Sequence, residues 1–142
     1  MERRDDCIFC KIVAGEAPCA RVTEDDRTLV FMDLFPVSEG HTLVVTKEHF
    51  ENLHEATAES IAAVGAMSKR VADALAAEWR PDGLSVYQAN GVAAGQTVFH
   101  YHMHLMPRSN GSPLTLHGRV QADADVLREH AERIARRLDP PS

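Results

Sequence analysis

An α+β domain on an antiparallel sheet is the fold class that this sequence predicts, and three observations predict it. Two β-branched, apolar runs lie close together in the first third of the chain. A single long stretch of helical periodicity follows, and two more strand-like runs come after it. A second amphipathic stretch closes the chain, so strands and helices do not alternate as a parallel βαβ arrangement requires.

Taken in order, residues 28–32 (Thr-Leu-Val-Phe-Met) and 42–46 (Thr-Leu-Val-Val-Thr) read as strands, because β-branched and apolar side chains suit a pleated, buried surface. Between them, Pro36 and Gly40 mark a loop. Residues 58–79 read as a helix: Ile61, Val64, Val71 and Leu75 recur at helical spacing, and Thr57 stands where an N-cap belongs. Pro81-Asp82-Gly83 turns the chain into a strand over 84–88. Gly91-Val92-Ala93-Ala94-Gly95 is a loop of small residues, and 98–106 is the next strand. The last helix spans 125–138 with Leu127, Ala131, Ile134 and Leu138 on one stripe, and residues 139–142 end it.

At 142 residues the chain fits one domain, 1–142, and no repeat or linker divides it. Lys plus Arg number 15 against 21 Asp plus Glu, a formal charge of −6, which argues against a general nucleic-acid binder. A small phosphorylated ligand is compatible with that charge, because it needs only a local pocket of donors. No apolar run is long enough to cross a membrane, and Met1-Glu2-Arg3-Arg4-Asp5-Asp6 lacks the apolar stretch of a signal peptide. The expected setting is cytoplasmic. Three cysteines, Cys7, Cys10 and Cys19, do not suggest a disulfide framework.

The chemistry concentrates in His100-Tyr101-His102-Met103-His104. On a strand, alternate side chains face opposite ways, so the three imidazoles share a face while Phe99, Tyr101, Met103 and Leu105 bury on the other. Neutral imidazoles can serve as nucleophiles, bases or metal ligands, and a three-His zinc site is as compatible with the spacing as a nucleophile is. The loop upstream adds a second signal. Gly91 and Gly95 leave its backbone open, Gln96 and Thr97 bring an amide and a hydroxyl, and such loops present N–H groups to phosphate oxygens.

Residues 90–108 resemble the signature of the histidine-triad (HIT) superfamily, His-x-His-x-His with apolar residues between. The likeness extends upstream through Cys7-Ile8-Phe9-Cys10-Lys11-Ile12, Phe31-Met32-Asp33 and Gly40-His41-Thr42-Leu43-Val44-Val45, covering roughly residues 7–108. The order is more similar to the Hint and bacterial Fhit-like branches than to the galactose-1-phosphate uridylyltransferases. The resemblance implies a five-stranded antiparallel sheet with one main helix and a C-terminal helix, and a sheet continuous across a homodimer. It implies a hydrolase or transferase acting at the α-phosphate of a purine nucleotide, a phosphoramidate or a dinucleoside polyphosphate, with an AMP-like product.

Within that likeness, His102 is the implied nucleophile, forming a nucleotidyl-histidine that water then hydrolyses. His104 and His41 are the implied supporting imidazoles. Gln96, Thr97 and Val98 would hold phosphoryl oxygens, Asp33 would accept from the ribose hydroxyls, and Ile8, Phe9 and Ile12 would form the slot for the base. Plainer readings stand beside these: Asp33 as a turn cap, and the three apolar residues as simple core. Many relatives carry Asn or Gln where this chain has Ala89, which leaves Asn90 as the neighbouring candidate for that contact. Some bacterial members pair a Cys-x-x-Cys with two histidines around zinc. Here that set is Cys7, Cys10, His49 and His100, as against two cysteines that are merely small buried apolar residues. No role is expected of Cys19. His54, His117 and His130 read as solvent-facing or loop residues, and residues 109–142 as an extension with a helix. A metal-dependent hydrolase using all three histidines, or a nucleotide-binding protein without catalysis, are the competing functions.

Overall fold

The computed structural model describes residues 3–138; Met1, Glu2 and the tail 139–142 that was expected to end the last helix lie outside the described residues. Five strands form one antiparallel sheet: β1 (Arg21–Glu24), β2 (Thr28–Met32), β3 (Thr42–Thr46), β4 (Gly83–Tyr87) and β5 (His102–Arg108), in the order β1-β2-β3-β5-β4. Among the described residues three α-helices accompany it: α1 (Ile8–Val13), α2 (Ala58–Trp79) and α3 (Ala124–Leu138). A 3₁₀ turn, Val92–Ala94, bridges β4 and β5. The fold class expected from the sequence is the one observed.

β2 and β3 are buried along their whole length, which explains why their sequences are continuous apolar runs rather than alternating ones. Val30, Met32, Val44 and Leu105 face α2 and α3, where Val64, Val71, Leu75 and Ile134 are fully buried. Leu29, Phe31, Leu43 and Val45 face the other way and pack with Phe9, Cys7 and Cys10 of the N-terminal segment. Each aliphatic side chain so buried is worth about 1.5–3 kcal/mol. Two layers therefore clamp the sheet, and the thinner one, around α1, leaves room for a cavity.

α2 occupies the expected residues, with the Thr57 hydroxyl accepting from the Ser60 N–H at 3.1 Å as an N-cap. Two elements were not foreseen. α1 is only six residues long, too short for a periodic signal, and its N-cap is a sulfur: Cys7 Sγ accepts from the Cys10 N–H at 3.3 Å. β1 buries only Val22 and carries an irregularity between Arg21 and Thr23, so it lacks the apolar content of its neighbours.

The histidine strand also starts later than expected. Residues 98–101 leave the ladder, because the Tyr101 N–H bonds to the Phe50 carbonyl at 2.7 Å and the Tyr101 carbonyl accepts from the Thr46 N–H at 3.3 Å. Phe99, expected to bury with Tyr101, Met103 and Leu105, is consequently 41% exposed. His130 corrects the expectation in the other direction. It is buried on α3, edge-on to the Trp79 indole with ring centroids 5.2 Å apart.

Candidate active site and metal cluster

The break in the ladder before His102 separates the three histidines. His100 is completely buried, and its Nε2 donates to the Thr46 carbonyl at 2.6 Å. A carbonyl can only accept, so Nε2 carries the proton and Nδ1 keeps its lone pair. That Nδ1 lies 3.3 Å from Cys7 Sγ and 3.6 Å from Cys10 Sγ, while His49 Nδ1 is 3.2 Å from Cys10 Sγ. The four donor atoms of Cys7, Cys10, His49 and His100 all lie within 4.8 Å of one another, and all four residues are buried. Two thiols and two imidazoles at that spacing are the donor set of a structural zinc site, with the Thr46 carbonyl fixing the His100 ring as an outer partner. His49 Nε2 is buried without a partner. The residues therefore fit zinc, which would pin the N-terminal segment to the loop after β3 and the entry to β5.

His102 lies against the same Phe9 ring as His100 but takes different partners. Its Nδ1 donates to the His100 carbonyl at 2.6 Å, which places the lone pair on Nε2. Its ring meets the edge of Phe9 at 5.0 Å and that of His104 at 4.9 Å. Behind His104 stands His41. The Val37 N–H donates to His41 Nδ1 at 3.0 Å, so His41 Nε2 holds the proton, 2.9 Å from His104 Nδ1. Tyr87 stacks on His104 at 4.4 Å with the rings 5° from parallel. β4 and β5 place Tyr87 and His104 opposite each other, so the stack is a cross-strand pair.

Burial holds these rings neutral. It lowers the pKa of His102, takes His41 to about 3, and takes His104, with His102 and His41 adding to the effect, to about 2. Two neutral imidazoles with fixed tautomers thus stand side by side, one offering a lone pair and the other positioned by His41.

They form the floor of a cavity of about 370 Å³, a size suited to a small organic ligand. On one side the wall is apolar, with Ile8, Phe9, Ile12, Phe31, Leu43 and Val98. Thr97, Asp33 and His117 bring polar groups to the rest. Asp33 Oδ1 accepts from the Phe35 N–H at 2.8 Å, the turn-capping bond, while Oδ2 lies 3.3 Å from His41 Nε2. Burial raises the Asp33 pKa.

Two expected contacts fall outside this cavity wall. Gln96 is buried, and its amide is engaged on the scaffold: Oε1 accepts from the Gly91 N–H at 2.7 Å, and Nε2 donates to the Glu51 and Val98 carbonyls at 2.6 and 3.1 Å. It closes the loop whose ends, Gly91 and Gly95, adopt φ values of +91° and +96° that favour glycine. Asn90 is likewise engaged. Its Oδ1 accepts from the Leu53 N–H at 2.7 Å, and its Nδ2 donates to Gln88 Oε1 at 2.9 Å. Both residues shape the loop. His117 is the reverse case: nothing in its neighbourhood along the chain singles it out, and the fold alone brings residue 117 back over the site.

A common metal for the three triad histidines is excluded by the geometry. Among the described residues, the clusters compact enough for one ion are Cys7-Cys10-His49-His100 and Asp33-His41-His104, and neither contains His102.

Known proteins are similar to this chain in sequence and fold. A family model described as "HIT domain" matches residues 14–111. The chain is similar to Protein hit from Bacillus subtilis, 46% identical over 108 residues that cover 76% of this chain and 74% of that one. It is similar to adenosine 5'-monophosphoramidase hnt1 from Schizosaccharomyces pombe, 42% identical over 104 residues covering 73% and 75%. Among solved structures, a zinc-bound histidine triad family protein from Mycobacterium smegmatis superposes with a TM-score of 0.82 and 35% identity, covering 94% of this chain and 93% of that one.

Proposed function

The chain belongs to the HIT domain family, and from that premise we propose that it is a nucleotide hydrolase or transferase working at the α-phosphate of a purine nucleotide through a covalent nucleotidyl-His102. The observation that carries this reading is the His102 tautomer. A ring with Nδ1–H bound to a carbonyl and a free Nε2 lone pair in a cavity floor is a nucleophile held ready.

In the proposed binding mode the base lies in the slot of Ile8, Phe9 and Ile12, and the ribose hydroxyls meet Asp33. The α-phosphate sits on His102 and His104, with the Thr97 hydroxyl and the backbone of Thr97 and Val98 around its oxygens. His102 Nε2 donates its electron pair to phosphorus, and the bond to the leaving group breaks with its pair going to that group. A water oxygen then attacks phosphorus, the P–N bond returns its pair to Nε2, and the nucleoside monophosphate departs. His41 acts through His104 as a positioning residue, as Gln96 and Asn90 act through the loop. Cys7, Cys10, His49 and His100 would hold a structural zinc that supplies rigidity rather than chemistry.

Phosphoramidates and dinucleoside polyphosphates share the α-phosphate that this site addresses, and the activity of the yeast relative favours the first. A turnover screen of adenosine 5'-phosphoramidate against diadenosine polyphosphates tests the proposal. We expect AMP from at least one of them. AMP bound tightly but never produced would identify a binding protein instead.

The same reading joins two copies along β4. That strand ends the sheet, pairs on one side only, and leaves Val86 49% exposed; unpaired edges are usually covered. A dimeric mass is expected in solution, and a monomeric mass contradicts the pairing.

A further inference from the structure

Residues 109–123 form no helix or strand, yet they are tied down at both ends. Arg108 Nη2 donates to the Thr115 carbonyl at 2.7 Å, and the Tyr87 hydroxyl to the Leu116 carbonyl at 3.5 Å. At the far end, the Ala122 N–H donates to the Leu34 carbonyl at 2.9 Å. Gly118 packs directly on the loop after β2: a Cβ at that position would lie 2.2 Å from the Phe35 carbonyl oxygen and 2.5 Å from that of Pro36. No side chain larger than hydrogen fits there. The segment is therefore a strap, laid from the β4–β5 end of the site across to the loop that carries Asp33.

His117 sits between these anchors. It is exposed to solvent and lines the same cavity as His102, His104, Asp33 and Thr97. Its Nε2 comes within 3.5 Å of where a Cβ on Gly95 would stand, beside the glycine loop. It is also near enough for its charge to bear on His102, His104 and His41.

Among the described residues, no lysine or arginine lines this cavity, and the two floor imidazoles each have Nδ1 engaged, His102 with a carbonyl and His104 with His41. In-line attack by His102 puts the leaving group on the opposite side of phosphorus, away from the sheet. The strap residues Leu116, His117 and Gly118 line the same cavity as His102.

We propose that His117 is a further catalytic residue, the proton donor to the leaving group. This rests on the nucleotidyl-His102 reading above. As His102 Nε2 bonds to phosphorus, the electron pair of the breaking P–N or P–O bond goes to the leaving nitrogen or oxygen, which takes a proton from the His117 imidazolium. In the second half, water adds its oxygen to phosphorus and gives a proton to His117, while the P–N pair returns to His102 Nε2. Donor and acceptor are then restored.

The role predicts a dependence on leaving-group basicity. A phosphoramidate nitrogen needs a proton to depart; a p-nitrophenolate does not. Single-turnover nucleotidylation should be measured for wild type and His117→Gln with adenosine 5'-phosphoramidate and with the p-nitrophenyl ester of AMP. His117→Gln is expected to slow the phosphoramidate by about 10²-fold or more and the ester by less than about threefold. Equal slowing of both substrates, or no slowing of either, overturns the inference while leaving the function standing. A wild type that forms no nucleotidyl adduct with either substrate overturns the function, and the inference with it. The variant lies on an exposed strap residue, so its fold is expected to be unchanged.

Discussion

Replacing His102 with alanine is expected to lower kcat/KM by at least about 10⁴-fold, roughly 5.5 kcal/mol of transition-state stabilisation, because the group that forms the bond to phosphorus is gone. The variant should keep its thermal midpoint and its metal content. His102 bonds to the Cys7-Cys10-His49-His100 cluster through the His100 carbonyl, and its ring is not among the four donors. Nucleotide affinity should survive in large part, since the apolar slot and Asp33 are untouched. That combination of a silent enzyme with intact binding and intact metal separates a nucleophile from a ligand. A variant that loses zinc, or one that is slowed only tenfold, would shift the chemistry to another group. Steady-state kinetics, metal analysis and AMP binding on the same preparation decide it.

Replacing Cys10 with alanine is expected to have the largest effect on stability. One zinc per chain should fall to none, and the thermal midpoint should drop on the order of 10 °C or more, several kcal/mol, since a structural site contributes its binding energy to folding. The cluster adds to the packing of Phe9 on Leu29, Phe31, Leu43 and Val45, since α1 is only six residues long and Cys10 Sγ also accepts from the Arg4 N–H at 3.3 Å. Activity should fall too, by a route the geometry makes plain. His100 uses its ring for the metal cluster and its carbonyl for His102 Nδ1, so loosening the ring loosens the bond that sets the nucleophile's tautomer. Calorimetry with zinc analysis checks the first part. An unchanged midpoint in a variant without zinc would reduce the cluster to two small buried cysteines.

The strongest features of the fold were legible in the sequence because their signals are local. α2 announces itself by periodicity and a threonine cap, and β2 and β3 by runs that stay apolar because both faces are covered. The histidine row and the two glycines were equally plain. Alternation along a strand makes one face of three imidazoles, and the structure keeps that face, with Phe9 against both His100 and His102, but divides it between two sets of partners. The division comes from long-range bonds, Tyr101 to Phe50 and His100 to Thr46, which no local pattern encodes. α1 and β1 were missed for want of length and apolar content. Gln96 and Asn90 have the right chemistry for a phosphate, yet the loop takes up their hydrogen bonds first. His117 stands in a segment without internal pattern, and only the return of the chain over the sheet puts it beside the cavity, whereas His130 lies on the buried stripe of α3 beside Leu127, Ala131 and Ile134.

The central claim, that His102 carries the nucleotide covalently, meets its most direct test in a rapid acid-free quench of wild type with substrate, followed by intact mass and peptide mapping. The account predicts a burst of one AMP per chain, attached to His102 alone, that decays as free AMP appears. Product formed with no adduct at any time, or an adduct mapped to another residue, would contradict it.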